Sequence, residues 1–252
     1  MLTRLRRIST FLVILVTWEV AAHSGRVNPI LLPSIEGVLQ QFLVELGSQQ
    51  LLMHVGYSLY RAFTGFFVAV FLGVALGFTM ARIKFFESLL DPLFSVTYPI
   101  PKISIYPIFV FTFGLGSLSK IVLVFLECLY PMVINTYYGT RTVKQIYVWS
   151  AQNMGATNRQ IFWRIILPAT APFIFSGLRV AMPISLIVVI ITEMIGAGEG
   201  LGYMIEFARA SFETRTMYVG IVSIALIGYA LDALLVRVRA RLVFWEKLVG
   251  VF

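Results

Sequence analysis

Among the ionisable side chains inside or beside long apolar stretches, Lys102, Glu127, Arg179 and Glu193 are the candidates for chemistry. A charge in an apolar span is costly, so it marks either a solute path or a partner charge that fixes helix registry. Lys102 follows Pro99 and Pro101, a pair that breaks or kinks a helix. Within a bilayer such a break is tolerated beside protein or a water-filled cavity. Pro99, Pro101, Lys102, Glu127, Arg179 and Glu193 are therefore the candidates for a translocation path. An anionic solute would favour Lys102 or Arg179, and Glu127 would oppose it. The alternative is that these charges pair with each other, snorkel or meet backbone carbonyls. No acid, base and metal-ligand set clusters anywhere, which argues against a membrane enzyme. His23 and His54 are read as interfacial or hydrogen-bonded, and Cys128, the single cysteine, as core packing. The sequence holds no G-x-x-x-x-G-K-S/T phosphate loop. No strand precedes the glycines of Gly196 to Gly202, which read as a turn after a span. If ATP drives this protein, a different subunit binds it.

The elements that must position these residues are membrane helices. Of 252 residues, 59% are hydrophobic and only 13% charged, and the mean hydropathy is +0.87. A soluble domain is nearer half apolar and a quarter charged. A net charge of +8 could suggest nucleic acid, but the basic residues flank apolar spans, so membrane topology accounts for them and no nucleic-acid partner is expected. The expectation is one all-α transmembrane domain over 1–252, with six spans at about 8–22, 57–80, 91–113, 118–138, 173–195 and 217–236. The N-terminal run could be a signal peptide, but with further spans behind it an uncleaved first helix is expected. Between the first two spans, Val38, Leu39, Phe42, Leu43 and Leu46 recur at helical spacing, which predicts an amphipathic helix along the outer surface. Gly73 and Gly77 in the second span form a small-x-x-x-small pair that permits close helix packing.

Charge sets the orientation. The segments assigned inside hold Arg4, Arg6, Arg7, Arg82, Lys84, Arg141, Lys144, Arg159, Arg164, Arg237, Arg239, Arg241 and Lys247. Those assigned outside hold only Arg26, Lys120, Arg209 and Arg215. This bias fits six spans with both termini in the cytoplasm.

One cytoplasmic stretch differs from the spans around it. WSAQNMGATNRQIFWRIILP, from Trp149 to Pro168, is mostly polar and reads as two short helices. Ser150, Ala151 and Ala156 are small enough for another protein to approach closely. Gly155 sits where the helical pattern should bend, since glycine tolerates backbone angles other residues resist. Phe162, Ile165 and Ile166 share one face and Gln160 and Arg164 the other. Pro168 should end the passage or turn it into the next span.

This order resembles the cytoplasmic "EAA" loop of ABC importer permeases, with Ser150, Ala151, Gly155, Ile165, Leu167 and Pro168 in matching positions. The family's leading glutamate falls at Trp149, a departure from the pattern. A second stretch, TEMIGAGEGLGYMI from Thr192 to Ile205, resembles the C-terminal signature of the nitrate, sulfonate, taurine and bicarbonate permeases. SLYRAFTGF at Ser58 to Phe66, YPIPKISIYPIFVFTFGLG at Tyr98 to Gly116 and SGLRVAMP at Ser176 to Pro183 keep the same order.

The resemblance implies a six-span permease of the type I importer (MetI-like) fold, working as a pair in the bacterial inner membrane. It implies cytoplasmic ATPase subunits that dock on the loop 141–168 through Ser150, Ala151, Gly155, Ala156, Ile165, Leu167 and Pro168. ATP and magnesium would sit on those subunits, with no cofactor on this chain. It also implies a periplasmic or lipid-anchored solute-binding protein, contacting the outer helix near Leu39 and the segment near Glu206. The cargo would be a small, often anionic, solute. The rival expectation is a secondary transporter or channel that needs no ATPase, for which inverted repeats would be the sign.

Overall fold

The computed structural model describes residues 2–28 and 30–246, with side chains from residue 12 onward. Lys247 and Pro29 therefore lie outside the described residues, as do the side chains of Arg4, Arg6 and Arg7. Every regular element among the described residues is helical. In order they are α1 (Leu2–His23), α2 (Ile35–Gly47), α3 (Gln50–Arg82), α4 (Lys84–Thr97), a 3-10 turn (Lys102–Ile105), α5 (Tyr106–Phe113) and α6 (Ser117–Arg141). Then follow α7 (Gln145–Asn153), α8 (Asn158–Ile161), a π-helical turn (Phe162–Ile166), α9 (Leu167–Gly196), α10 (Leu201–Ala210) and α11 (Thr214–Leu242).

Among the described residues, four continuous helices are long and apolar enough to cross a membrane: Gln50–Arg82, Ser117–Arg141, Asn158–Gly196 and Thr214–Leu242. The third expected span is not one rod. Lys84–Thr97 and Lys102–Phe113 meet at 86°, because Pro99 and Pro101 both lack the N–H that would carry a helix through. Counting that bent pair as one crossing gives up to five among the described residues. The described apolar part of α1, Leu12–His23, is shorter than the roughly 20 residues a crossing needs.

The chain divides into two compact units, Leu59–Thr192 with Ile227–Phe252, and Met1–Ser58 with Glu193–Leu226. In the first, α3 lies against α6 with no side chain between them at the glycines. A Cβ at Gly73 would fall 2.5 Å from the Met132 Cβ, and one at Gly77 would fall 2.6 Å from the Thr136 Cβ. The Gly73/Gly77 pair therefore packs as its spacing predicts, and a larger residue there would cost about 1–3 kcal/mol in overpacking. Phe66, Ala69, Leu123, Val124, Cys128 and Met132 form the buried centre of this contact. Lys120, counted above with the outer charges, is fully buried. Its ammonium donates to the Leu115 and Gly116 carbonyls at 2.7 and 3.2 Å, satisfying the turn before α6.

In the second unit, α2 starts on Ser34, whose hydroxyl accepts the Gly37 N–H. The Glu19 carboxylate of α1 accepts the Ile35 N–H at 2.9 Å, and the Trp18 indole donates to the Pro33 carbonyl at 2.9 Å. Leu39 and Leu43 of α2 remain exposed.

Candidate functional site

The segment between α6 and α9 contains two helices joined by a specified joint. At the end of α7 the Gly155 N–H donates to the Gln152 carbonyl and the Ala156 N–H to the Ala151 carbonyl, both at 2.9 Å. This pair of bonds is a Schellman motif, which needs a left-handed residue at its C′ position. Gly155 supplies it at φ +79. Two residues later α8 opens with a capping box. The Thr157 hydroxyl accepts the Gln160 N–H at 3.3 Å, and the Gln160 side chain accepts the Thr157 N–H at 2.8 Å. The stop and the start are each closed by two bonds, so the bend has one geometry.

Val148 and Ala151, three residues apart on α7, are buried in one cluster with Phe78, Ile161 and Ile166. The Phe162 ring meets Phe78 edge-on at 5.1 Å. Ala151 therefore packs against its own chain and is not open to a partner, and Ala156, Ile165, Leu167 and Pro168 are half-buried. Ser150 and Gly155 are exposed. The outward surface is instead aromatic and apolar: Tyr147, Trp149, Met154 and Trp163 are 56%, 55%, 80% and 58% exposed.

Pro168 neither ends this passage nor turns it. A proline ring in a regular helix collides with the carbonyl four residues back. The π turn immediately before it, closed by the Leu167 N–H on the Phe162 carbonyl, widens the backbone where the ring must fit. The helix then runs unbroken over 39 residues from Asn158 to Gly196, about 58 Å at 1.5 Å per residue.

The path candidates separate into three places. Pro99, Pro101, Lys102 and Glu127 line one cavity of ≈ 430 Å³, together with Tyr98, Tyr130 and Asn135. Lys102 Nζ lies 3.9 Å from Glu127 Oε2 and 5.3 Å from the centre of the Tyr130 ring. Tyr130 is held by a tilted ring contact with Tyr98 at 4.7 Å and by its hydroxyl, which donates to the Phe94 carbonyl. Pro131 cannot donate the bond that the Glu127 carbonyl would ordinarily receive, so α6 offers an acceptor at the same level.

Arg179 does not line this cavity. Its guanidinium donates to Asp232 of α11 at 3.3 Å. Glu193 is 1% exposed and caps a helix: its carboxylate accepts the Ser58 hydroxyl at 2.7 Å and the Gly202 N–H at 3.0 Å. The Ser58 oxygen in turn accepts the Leu201 N–H at 2.8 Å, and His54 Nδ1 accepts the Gly200 N–H at 3.1 Å. These groups satisfy the start of α10, and an anion there suits the helix dipole. The glycine turn is bound by side chains of this chain, as a tight turn and not as a phosphate loop.

Residues 69–244 match the family model described as binding-protein-dependent transport system inner membrane component. The chain belongs to that family. It is 32% identical to the taurine transport system permease protein TauC of Escherichia coli over 95% of this chain and 89% of the relative. It is 30% identical to the putative aliphatic sulfonates transport permease protein SsuC of Bacillus subtilis, over 93% and 85%. It is 31% identical to the formylaminopyrimidine transport permease protein ThiX of Halalkalibacterium halodurans, over 94% of each. The fold is also that of a chain from inward-facing structures of the MetNI methionine ABC transporter, with a TM-score of 0.62 and 16% identity over 75% of this chain and 94% of that one.

The chain is thus the multi-span permease subunit of an ATP-driven importer of the inner membrane. ATP is hydrolysed on a separate subunit, and a solute-binding protein completes the assembly. Three features of this permease escaped the sequence reading. Asp232, a lone carboxylate in the last apolar span, was visible as such. The T-x-x-Q of Thr157–Gln160 spells a capping box. Phe78 carried no local sign of its contact with the loop.

Proposed function

We propose that the segment 141–168 faces the cytoplasm and seats the ATPase subunit, that both chain ends lie on that side, and that six spans are completed by α1. Ser150, Gly155 and the exposed aromatic face of Tyr147, Trp149, Met154 and Trp163 meet the ATPase. Ala151, Ala156, Ile165, Leu167 and Pro168 hold that face in place from behind. A rigid shift of the joint passes along the continuous helix that contains Pro168, and through Phe162 to Phe78 of α3. The observation that carries this reading is the doubly closed joint at Gly155, which makes the bend a stiff elbow able to transmit force. The basic residues at Arg141, Lys144, Arg159 and Arg164 support the cytoplasmic side.

In this reading two copies of the permease form a homodimer, and ATP and magnesium reside on the ATPase with no cofactor on this chain. The solute-binding protein, periplasmic or lipid-anchored, meets α2 near Leu39 and α10 near Glu206. The relatives named for taurine and aliphatic sulfonates support a small organic solute with an acidic group. Pro99, Pro101, Lys102 and Glu127 border its path, and Arg179 and Glu193 hold helices in register.

Orientation and docking are tested together with a single thiol. Cys128 is buried, so Met154→Cys places the one accessible thiol at the elbow. An impermeant maleimide should label it in inside-out vesicles only, and the co-expressed ATPase should shield it. Labelling from the periplasmic side would end this reading.

A further inference from the structure

We infer that the cavity at the break between α4 and the 3-10 turn is a binding site for a zwitterionic solute, with its acidic group on Lys102 and its ammonium on Glu127. This deepens the permease reading and rests on it. Three observations carry the inference. First, the cavity, ≈ 430 Å³, holds one fixed cation and one fixed anion in its wall. That is within the size range of small-molecule sites.

Second, the two charges are poorly satisfied by each other. At 3.9 Å they lie beyond hydrogen-bond length, and among the described residues neither side chain makes a hydrogen bond. Each is largely removed from solvent, with side chains 15% and 22% exposed. A pair serving only helix registry is expected to close to direct contact, because a half-satisfied buried pair is the costly arrangement. Here the gap is left open onto a cavity. Third, the Tyr130 ring is fixed by a tilted contact with Tyr98 and by its bond to the Phe94 carbonyl, and its face holds the Lys102 ammonium at 5.3 Å, so the cation is positioned at the cavity wall without a carboxylate closing on it.

Charge complementarity selects the ligand class. A simple anion drawn to Lys102 would meet Glu127 at nearly the same distance, and a simple cation drawn to Glu127 would meet Lys102. A short molecule carrying both charges a few bonds apart inserts between them and matches each, while leaving the site neutral overall. The same logic that makes Glu127 unwelcome to an anion makes it a selectivity element for a zwitterion.

The test uses the permease–ATPase complex in nanodiscs, without the solute-binding protein, titrated with 2-aminoethanesulfonate, ethanesulfonate and ethylammonium. The native complex should bind the zwitterion roughly tenfold to a hundredfold more tightly than either singly charged analogue, the effect of leaving one partly buried charge unmatched. Glu127→Gln should abolish the preference over ethanesulfonate, and Lys102→Gln the preference over ethylammonium. The exchange Lys102→Glu with Glu127→Lys should keep the zwitterion preference and guards against a simple folding defect in the single variants. Equal binding of ethanesulfonate and the zwitterion to the native complex overturns the inference. So does binding of none of the three, or single variants with unchanged discrimination. ATP hydrolysis in the same preparation separates the outcomes: hydrolysis without charge discrimination sinks the zwitterion site alone, whereas an ATPase that fails to co-purify with the permease sinks the docking reading.

Discussion

The chain closes two helices with the same pair of backbone bonds and puts opposite residues at the joint. After α7, Gly155 stands at φ +79 between bonds to Gln152 and from Ala156 to Ala151. After α10, Phe212 stands at φ +59, its N–H donating to the Arg209 carbonyl at 3.3 Å and the Glu213 N–H donating to the Ala208 carbonyl at 2.8 Å. Both are Schellman motifs. Glycine enters the left-handed region freely, whereas a bulky side chain there is strained by about 1–2 kcal/mol. The Phe212 ring recovers little of that by packing, since it is 80% exposed. The Gly155 elbow is thus built without strain at the face proposed to seat the ATPase, and the Phe212 elbow holds an exposed aromatic ring at a backbone cost.

The largest effect that would sharpen this contrast is Gly155→Pro. Proline removes the N–H that bonds to Gln152 and cannot adopt a positive φ, a combined loss of about 3 kcal/mol or more. That is roughly a hundredfold in the population of the native joint. ATP-dependent uptake by the complete importer should fall to background while the permease stays in the membrane at ordinary abundance. Unchanged uptake would show that the elbow does not carry force.

Next in size is Thr157→Ala, which deletes half of the capping box and should cost about 1 kcal/mol. Amide exchange at Gln160 should speed about fivefold, with no change at Phe212 or Glu213. An exchange rate at Gln160 equal to that of the native chain would mean that the second half of the elbow is held by packing on Phe78 and not by its cap.

A matched pair comes third. Gly155→Ala meets no atom within 4 Å, so its effect is backbone strain of about 1–2 kcal/mol, offset by about 0.5–1 kcal/mol of unfolded-state entropy. Phe212→Gly runs the same balance backwards. The two substitutions should shift local stability by similar amounts, each about 0–1.5 kcal/mol net, and with opposite signs. Slower exchange of Glu213 in Phe212→Gly and faster exchange of Ala156 in Gly155→Ala is the expected result. Equal signs would dissolve the comparison.

The two elbows also differ in how well the sequence announces them. Gly155 between two polar helical runs is a stop signal, and the structure ends α7 there. Pro99 with Pro101 likewise announces the break at 86°, and the Gly73/Gly77 spacing announces close packing. All of these are local rules. Phe212 carries no such sign, because local preference would put glycine in its place. The longer-range facts are equally silent: Arg179 finds Asp232, 53 residues away, and Glu193 finds Ser58, 135 residues away. Pro168 misleads for a related reason. A proline signals a helix end only if the backbone cannot widen, and the π turn at Phe162–Ile166 lets it do so.

The smallest effect is electrostatic and again separates the elbows. On α10 the Arg209 guanidinium donates to the Glu206 carboxylate at 2.8 Å, and this bond holds the Glu206 carboxyl below its ordinary value. A carboxyl whose folded value is lowered contributes stability above the ordinary carboxylate range and loses it as pH falls through the lowered value. Arg209 is also the residue whose carbonyl accepts the Phe212 N–H, so protonating Glu206 frees the side chain of a residue that anchors the strained joint. The stretch from Arg141 to Pro168 contains no Asp or Glu, so the Gly155 joint has no carboxyl to lose. On acidification, amide exchange corrected for its intrinsic pH dependence should rise slightly at Phe212 and Glu213 and stay level at Gly155 and Ala156. Glu206→Gln should remove that pH response; the Glu206–Arg209 pair is exposed and screened by salt, so the substitution should have little effect at neutral pH. A pH response of equal size at both joints, or one untouched by Glu206→Gln, would mean that Glu206 has no hold on the second elbow.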